Sequence, residues 1–342
     1  MQDSAQGNNQ VKLNPWKPNK LLRRYDPLEV RYSCGFLRCS PEKWFPGFAM
    51  QWQPLAHSLG VEFSLVETKP FIGGNHNFQY GFTGSIDDEP MCVFLEDDSA
   101  VALLEMIILG ARNKAREVVL EYLAMRLISS LALSWTGPES SLVKFESDID
   151  PHSVRGIGGV KLQLNVNGTP ITIWITMGKI MLEKMDGLWR RQLHSTIGTK
   201  IAPTNVRVEV GHLTVPPAML SEYLKSGVFY DIEIPVSDSV TLIANDKAWL
   251  PARLGIVNNN FVVETVATTP PSVKIPAGAT KLSFEFGITQ LVPGMTAEVA
   301  QVGASFDTNI RVSDKVSIVV NNEKVGEAIL RSYQGSLVIS VC

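Results

Sequence analysis

The chain has 342 residues, of which 45% are hydrophobic and 19% are charged. This length is typical of two or three domains. Its 31 basic and 34 acidic side chains leave a net charge of −3. The basic excess needed to bind a phosphate backbone is therefore missing, and no nucleic acid is expected as a partner. The longest apolar run, Val101–Leu109, is too short to span a bilayer, and Met1–Gln10 lacks the apolar segment of a signal peptide. We therefore expect a cytoplasmic protein.

The N-terminal region combines a polar tail with a basic stretch. Residues 1–14 are polar and without periodicity, which predicts a disordered tail. Five basic residues then alternate with apolar and aromatic ones; they are Lys17, Lys20, Arg23, Arg24 and Arg31, among Trp16, Leu21, Leu22 and Tyr25. This stretch is either a docking segment for an acidic partner or a membrane surface, or a solvated edge near a mobile terminus. The second interpretation is favoured.

The four cysteines do not predict a metal site. Cys34 and Cys39 have the spacing of half a zinc site, but no second Cys/His pair follows at finger spacing. With Cys92 and Cys342 they are expected to be reduced, partly buried thiols. No metal or other cofactor is expected.

Residues 15–200 predict an N-terminal domain that mixes helices and strands. Ser40-Pro41-Glu42 is typical of a helix start. Val61–Lys69 and Phe78–Ser85 are predicted strands around a Gly73-Gly74-Asn75 turn. Asn167-Gly168 between two alternating stretches predicts a tight hairpin, and Asp186-Gly187 predicts a turn near the end of the domain. Arg155-Gly156-Ile157-Gly158-Gly159 lacks the rest of a phosphate-binding loop and is interpreted as a turn that feeds the hairpin.

The strongest helical pattern begins at Asp97-Asp98-Ser99, whose acids suit the positive end of a helix dipole. Gly110 and the following basic residues are expected to divide it into two helices. The pattern places one apolar stripe along it, formed by Val101, Leu104, Ile108, Ala111, Ala115, Val118, Tyr122 and Met125. The stripe is either a partner groove or part of the core, and the core is favoured.

The last third of the chain contains one module twice. Asn205–Thr265 aligns without a gap on Lys281–Val341, shifted by 76 positions, and 16 of the 61 aligned positions are identical. These include Glu209/Glu285, Gly211/Gly287, Gly227/Gly303, Asp238/Asp314 and Asn245/Asn321. Internal repetition of this kind indicates a duplicated fold unit. The repeated residues are typical of turns and apolar strands, and none indicates catalysis.

The repeat sets the predicted domain boundaries and the way in which the modules associate. We place the first module at residues 203–267, a Pro-rich linker at 268–280 and the second module at 281–342. A unit of about 60 residues is marginally stable alone. Both copies end in strands that are apolar on both faces, Phe261-Val262-Val263 and Leu337-Val338-Ile339. We therefore expect the modules to pair or to exchange strands, with each other or with copies from other chains.

Residues with catalytic chemistry do not converge in the sequence. The five histidines, His57, His76, His152, His194 and His212, are scattered and none has metal-ligand spacing with another. No Glu is followed by Asn three residues later. This is the helical pattern of the CheC-type phosphatases, so that activity is disfavoured, and no enzyme is expected.

The tandem modules resemble the SpoA domains of type III secretion. The likeness is carried by the order of strands, the closing Gly227 and Gly303, and the stretch "DKVSIVVNNEKVGEAILRSYQGSLVISV". The second copy is most similar to the C-terminal domain of the SctQ (YscQ/SpaO) family and of the flagellar rotor proteins FliM and FliN. The resemblance implies an α+β fold, with a mixed N-terminal domain before two small, mainly β modules.

The resemblance also implies a function and partners. It implies a structural component of the cytoplasmic sorting platform (the C-ring or pods), peripheral to the inner-membrane secretion apparatus of an injectisome. The implied partners are an SctL-like stator protein, an SctK-like linker protein, the ATPase complex through the stator, chaperone–effector cargo, a short C-terminal product of the same gene and further copies of the chain. A flagellar C-ring component is the alternative. Six apolar strand residues are candidates for a protein-binding patch, with pure core as the alternative: Val240, Leu242, Val316, Ile318, Val338 and Ile339.

Overall fold

The structure is a computed structural model that describes residues 13–39, 48–73, 78–108, 110, 113–133, 143–146, 149–197, 204–291 and 295–342. Two compact units divide the chain. One is Gly35–Thr196, and the other joins the residues up to Cys34 to Ile197–Cys342. Helices and antiparallel sheets occur together, so the predicted α+β class is confirmed.

The N-terminal segment belongs to the same unit as the duplicated modules. Its elements are β1 (Asn14–Pro15), a helical turn at Pro18–Leu21, β2 (Arg23–Arg24) and the helix Pro27–Ser33. Asp26 caps that helix, because its carboxylate accepts hydrogen bonds from the backbone N–H of Leu28 and Glu29. The predicted tail falls on undescribed residues up to 12, but Asn14 is in a strand. Residues 15–34 were assigned to the N-terminal domain from the sequence, and the structure groups them with the modules instead.

The Gly35–Thr196 unit is a six-stranded antiparallel sheet with helices. The strands are β3 (Phe63–Ile72), β4 (Tyr80–Ile86), β5 (Glu89–Leu95), β6 (Val143–Glu146), β7 (Gly158–Val166) and β8 (Thr169–Met177). They lie in the order β3-β7-β8-β5-β4-β6. The helices are Phe48–Ser58, Asp97–Ile107, Asn113–Leu133 and Lys179–Ile197, with short 3-10 turns at Phe36–Arg38 and Pro151–Ser153.

The turns and strands predicted from local sequence in this unit are confirmed in some places and wrong in others. Asn167 and Gly168 have φ of 51° and 83° and join β7 to β8, so the predicted hairpin is confirmed. Strands occur on both sides of Gly73, but they are not partners of each other, since β3 pairs with β7 and β4 with β5. The predicted Asp186-Gly187 turn is wrong, because both residues lie inside the helix Lys179–Ile197. The predicted start at Ser40-Pro41-Glu42 lies outside the described residues.

Asp186 is held in that helix by contacts that the sequence could not show. Its carboxylate pairs with Arg190 one turn later at 2.7 Å, which supports a helix rather than a turn. The same carboxylate accepts a hydrogen bond of 2.7 Å from the backbone N–H of Phe36. The long-range contact therefore overrides the local preference of Asp-Gly.

The apolar stripe divides into two helices as predicted, but its assignment to the core is only partly right. Leu104 is buried, whereas Val118, Tyr122 and Met125 are exposed. The buried face of helix Asn113–Leu133 is a different one, formed by Leu120, Leu123, Ala124, Leu127 and Ile128. This helix is apolar on more than one side, so periodicity alone does not identify the side that packs.

The two modules repeat each other strand for strand. The first contains β9 (Thr204–Val215), β10 (Phe229–Pro235), β11 (Ser239–Ala244), β12 (Lys247–Val257) and β13 (Asn260–Thr265). The second contains β14 (Thr280–Leu291), β15 (Ser305–Arg311), β16 (Lys315–Val320), β17 (Glu323–Tyr333) and β18 (Ser336–Val341). Every strand boundary differs by the 76 positions that align the sequences. Helical turns occupy equivalent places, at Pro217–Met219 and Leu220–Tyr223 in the first module and at Met295–Val299 in the second.

The modules form one sheet by exchanging strands. Its order is β10-β18-β17-β16-β14-β9-β11-β12-β13-β15. Among the strands of the described residues, β10 of the first module pairs with β18 of the second alone, and β15 of the second pairs with β13 of the first alone. β9 and β14 join the two halves at the centre. The expected pairing and strand exchange are therefore confirmed within this one chain.

The turns of the modules also match their sequence signals. Gly227 and Gly303 have the predicted left-handed φ, of 80° and 77°, but they lie in the turn after each helix rather than at its C-cap, since the helices end at Tyr223 and Val299. Asn245-Asp246 and Asn321-Asn322 have positive φ at both residues, as a tight hairpin turn requires. The residues between the modules, 267–279, contain no helix or strand.

Candidate protein-interaction site

The six residues proposed from the sequence as a binding patch lie inside the molecule. Val240, Leu242, Val316, Ile318, Val338 and Ile339 are all at most 6% exposed and belong mostly to one core shared by both modules. The structure therefore places them in the core, which was the alternative stated for them. Of the three strands that carry these residues, only β18, with Val338 and Ile339, pairs with an exchanged strand. β11 and β16 pair with strands of their own modules, and their apolar side chains pack into the core that both modules share.

The centre of the sheet holds a pair of buried carboxylates. Glu209 of β9 and Glu285 of β14 are equivalent in the repeat and lie directly opposite each other in the pairing of these strands. Their side chains are 3% and 4% exposed. Two like charges buried side by side are destabilising unless each is compensated. The sequence signal for this pair is an acidic residue repeated at equivalent positions of two largely apolar strands.

The two glutamates are compensated in different ways. Glu209 lies 2.6 Å from Nζ of Lys281 and 2.9 Å from Nδ1 of His212. Burial by itself raises the pKa of Glu209, but the hydrogen bonds from His212 and Lys281 outweigh it and the pKa lies below its ordinary value. Glu285 has Arg207 Nε at 3.5 Å. Burial dominates there and raises the pKa of Glu285 despite the Arg207 charge.

In each module a short backbone edge is left unpaired by the other module strands, and we call this edge a ledge. β11 pairs with residues 247–253 of β12, so residues 255–257 have a side that β11 does not cover. β16 pairs with residues 323–329 of β17, which leaves residues 331–333 in the same position. The ledges are equivalent, since 255 and 331 differ by the repeat length. Uncovered strand edges of this kind accept an added strand.

Both ledges are occupied by residues 13–34, which we call the N-terminal strap. β1 pairs antiparallel with Arg331 and Ser332, and β2 pairs in parallel with Gly255 and Ile256. The backbone N–H of Tyr25 continues the second pairing by donating to the carbonyl of Ile256 at 2.9 Å. A single segment therefore adds a strand at equivalent positions of both modules.

An aromatic anchor lies between the two strand additions. Trp16 is 4% exposed, and its ring stacks on Phe286 of the second module at 5.5 Å and approaches Phe261 of the first at 6.5 Å. Burying an indole of this size is worth a few kcal/mol. Its Nε1 is nevertheless buried without a hydrogen-bond partner among the described residues, which costs about 1–3 kcal/mol.

Tyr25 attaches the strap to the first ledge. Its hydroxyl donates a short hydrogen bond to the carboxylate of Glu264, and burial followed by this bond raises its pKa. Its ring lies over Gly255, where an added Cβ would be 2.2 Å from Cε2 of the ring. Gly255 is therefore needed for Tyr25 to dock, whereas the equivalent position on the second ledge is Arg331.

The basic residues of the strap point outward. Lys17, Lys20, Arg23, Arg24 and Arg31 are exposed, while Trp16 and Leu22 are buried. Arg23 lies 4.8 Å above the Tyr25 ring. Of the two interpretations given for this stretch, the solvated edge fits the charged residues. The segment as a whole does dock, but its partner is the pair of modules in the same chain.

The end of the strap covers the outer edge of β15. The hydroxyl oxygen of Ser33 accepts a hydrogen bond of 2.9 Å from the backbone N–H of Ser305, and the thiol of Cys34 lies 3.3 Å from the carbonyl of Ser305. The equivalent residue on β10 is Phe229, whose side chain is 49% exposed. The strap therefore covers one of two equivalent outer edges, and no strand covers the other within the described residues.

In the part of the chain that the structure describes, reactive side chains do not gather into a second candidate site. Among the residues that the structure describes, no group of three or more His, Cys, Asp or Glu side chains has the geometry of a metal site. His57 and His152 are exposed, and His212 is bound to Glu209. Gly159 fits a close strand contact, since an added Cβ would be 1.8 Å from the carbonyl oxygen of Ile175. The glycine-rich stretch thus leads into β7, as predicted.

The chain resembles known proteins at the level of solved structures. No protein-family profile and no curated protein sequence matches the chain. Among solved structures, it is similar to the FliM middle domain (51-229) from Vibro alginolyticus, at 13% identity and a TM-score of 0.35, over 43% of this chain and 99% of that one. It is also similar to the FliM middle domain from H. pylori, at 11% identity and a TM-score of 0.32, over 48% and 99%. Within the described part of the chain, no helix is long and apolar enough to cross a membrane.

Proposed function

We propose that the chain is a structural scaffold of the C-ring type, and specifically the SctQ component of the cytoplasmic sorting platform of a type III secretion system. The observation that carries the proposal is the exchange of β10 and β15 between two modules of one chain. In such an exchanged pair the repeated residues form turns and pack the core. The surface then presents backbone edges that bind strands, and no reaction centre is formed by the repeated residues.

The sequence resemblance to SpoA domains makes this proposal specific. The resemblance is independent of the strand exchange, because it rests on residue order and spacing. The structure reproduces that spacing as five strands per module, each offset by 76 positions. The proposed partners are a stator protein of the SctL kind, a linker protein of the SctK kind, the ATPase complex through the stator, cargo complexes and other copies of the chain. The proposed location is the cytoplasmic side of the inner-membrane apparatus, and no enzymatic activity is proposed.

The proposal is tested by recovering partners with the full chain. Affinity-tagged wild-type chain expressed in its own cells should co-purify the stator and linker proteins of an injectisome, identified by mass spectrometry. Ile318→Asp places a charge in the shared core and should abolish recovery. Ile288→Asp is the matched control, because Ile288 is 62% exposed, and it should retain recovery.

Two results would overturn the injectisome assignment. Recovery of flagellar rotor proteins in place of the stator and linker would favour the flagellar C-ring alternative. Recovery of no partner by a correctly folded wild-type chain would remove the scaffold function itself.

A further inference from the structure

The strap packs Trp16, Leu22 and Cys34 into the core of the module pair, but it does not take part in the order of the ten module strands. The ten strands β9–β18 pair among themselves, and their order is complete without β1 and β2, which lie off the path of the sheet. β1 and β2 are two residues long each and add only to the ledges. Removal of the strap would therefore uncover the two ledges and the aromatic pocket while leaving the pairing of the modules in place.

The binding mode of the strap defines a peptide-recognition chemistry. Backbone pairing at 331–332 and at 255–256 accepts extended segments without regard to their side chains. The pocket between Phe261 and Phe286 selects a large aromatic residue. The carboxylate of Glu264 selects a hydroxyl or cationic donor near Gly255. A ligand of this site is an extended peptide with an aromatic anchor, followed within about ten residues by a short stretch that donates hydrogen bonds.

Several contacts of the strap leave it replaceable. The indole N–H of Trp16 is buried without a partner among the described residues. The side chains of Lys17, Lys20, Leu21 and Arg24 are exposed and contribute little buried area to docking. A competing peptide that satisfies the indole, or that fills both ledges with longer strands, would bind the same surface better.

We propose that the strap is an autoinhibitory occupant of this site, and that an extended partner segment of the same chemistry replaces it when the scaffold assembles. The identification of that segment with the stator rests on the proposed function, but the peptide site itself does not. A tethered segment acts at an effective concentration on the order of 1 mM. A free peptide with an intrinsic Kd of about 10 μM would therefore bind the wild-type chain about 100-fold more weakly than a chain whose strap is released.

The experiment uses the full chain and a synthetic peptide with the sequence of residues 13–26, labelled with fluorescein. Trp16→Ala removes the anchor from the tethered strap, and Leu21→Ala is the matched control, because Leu21 is 52% exposed in the same segment. Fluorescence anisotropy should show about 100-fold tighter binding to the Trp16→Ala chain than to wild type, with the Leu21→Ala chain equal to wild type. A peptide carrying the Trp16→Ala change should not bind any chain.

A second pair of variants tests the inference even if the Trp16→Ala chain does not fold. A chain that begins at Pro27 retains the helix Pro27–Ser33 and lacks both strand additions. It should bind the peptide as tightly as the Trp16→Ala chain does. Adding Gly255→Ala to that chain should weaken binding at least tenfold, because the new Cβ occupies the place of the Tyr25 ring. Thermal melting followed by circular dichroism confirms that each chain is folded.

The outcomes separate the inference from the proposed function. Equal peptide affinity for wild type and for both released chains would overturn the inference, as would absence of binding to the folded Pro27 chain. If the released chains bind the peptide but no stator protein binds any chain, the peptide site stands and the proposed function fails. If a stator binds wild-type and released chains equally well, the proposed replacement of the strap is wrong.

Discussion

The two modules share one backbone plan but differ in the side chains that support it. Every strand of the first reappears 76 positions later in the second. At the centre, however, Glu209 is held by Lys281 and His212, whereas Glu285 has the more distant Arg207. On the outside, β15 is covered by the strap and β10 has no strand on its outer edge within the described residues.

The repeat therefore determines the topology of the modules. The residues that differ between the two copies determine which charged side chain compensates each central glutamate. Lys281 of the second module pairs with Glu209 of the first, and Arg207 of the first module pairs with Glu285 of the second. The charges thus cross the same boundary as the exchanged strands. Equivalent changes in the two modules should therefore give equal effects in the core and unequal effects at the centre.

The largest effect is expected in the core, where the modules are equal. Leu242 and Ile318 are equivalent and both are fully buried. Asp at either position buries an unpaired carboxylate, which should cost more than about 4 kcal/mol and abolish cooperative unfolding of the modules. Thermal melts by circular dichroism measure this. A variant that lost stability at one position only would show that the two halves are not one core.

The next effect should differ between the modules. Glu209→Gln leaves the Lys281 ammonium without its carboxylate in a mostly buried place and should lower the free energy of unfolding by about 2–3 kcal/mol. Glu285→Gln removes a carboxylate whose charge is disfavoured by burial, and should change it by less than about 0.5 kcal/mol. Urea unfolding of both variants makes the comparison. Equal losses would contradict the unequal compensation.

Alanine substitutions at the repeated glycines of β9 and β14 should destabilise the fold for different reasons. A Cβ at Gly211 would lie 2.3 Å from Cδ1 of Ile234, whereas Gly287 has room beside Ile310 but a φ of 154°. Each Gly→Ala change should cost about 1–2 kcal/mol. Ile234→Val removes the clashing atom and should rescue Gly211→Ala. Ile310→Val should not rescue Gly287→Ala. If it did, the cost at Gly287 would come from a side-chain clash and not from the backbone conformation.

The smallest effect is a pH dependence that belongs to Glu209. Its pKa in the fold is below the ordinary 4.5, since the bonds from His212 and Lys281 outweigh burial. Such a carboxylate stabilises the fold above the ordinary pKa and loses this contribution as the pH falls through the lower, folded value. The difference in unfolding free energy between wild type and Glu209→Gln should therefore shrink from pH 6 to pH 3. A difference that stays constant would mean that the charge of Glu209 is not what stabilises the centre.

Much of the module fold follows from sequence because its signals are local or repeated. The Asn-Asp and Asn-Asn turns, the left-handed Gly227 and Gly303 and the 76-residue period all appear where expected. Strand exchange could be proposed because apolar strands such as residues 261–263 needed cover. Sequence alone could not distinguish a binding patch from core at Val240 and Ile318, and the structure places both residues in the shared core.

The features that sequence did not predict depend on contacts between distant residues. Nothing near Trp16 indicates that it docks between Phe261 and Phe286. The apolar Val118, Tyr122 and Met125 cannot be distinguished by periodicity from the residues that pack. Asp186-Gly187 has turn composition, but the contacts of Asp186 with Phe36 and Arg190 place it in a helix.

The central claim is that each module completes its sheet with a strand from the other. A specific protease site inserted at Thr268–Pro271 cuts the chain between β13 and β14, where there is no helix or strand. After cleavage, size-exclusion chromatography should show both fragments eluting together under native conditions and separately in urea. Two fragments that separate in native buffer, each folded by circular dichroism, would contradict the exchange.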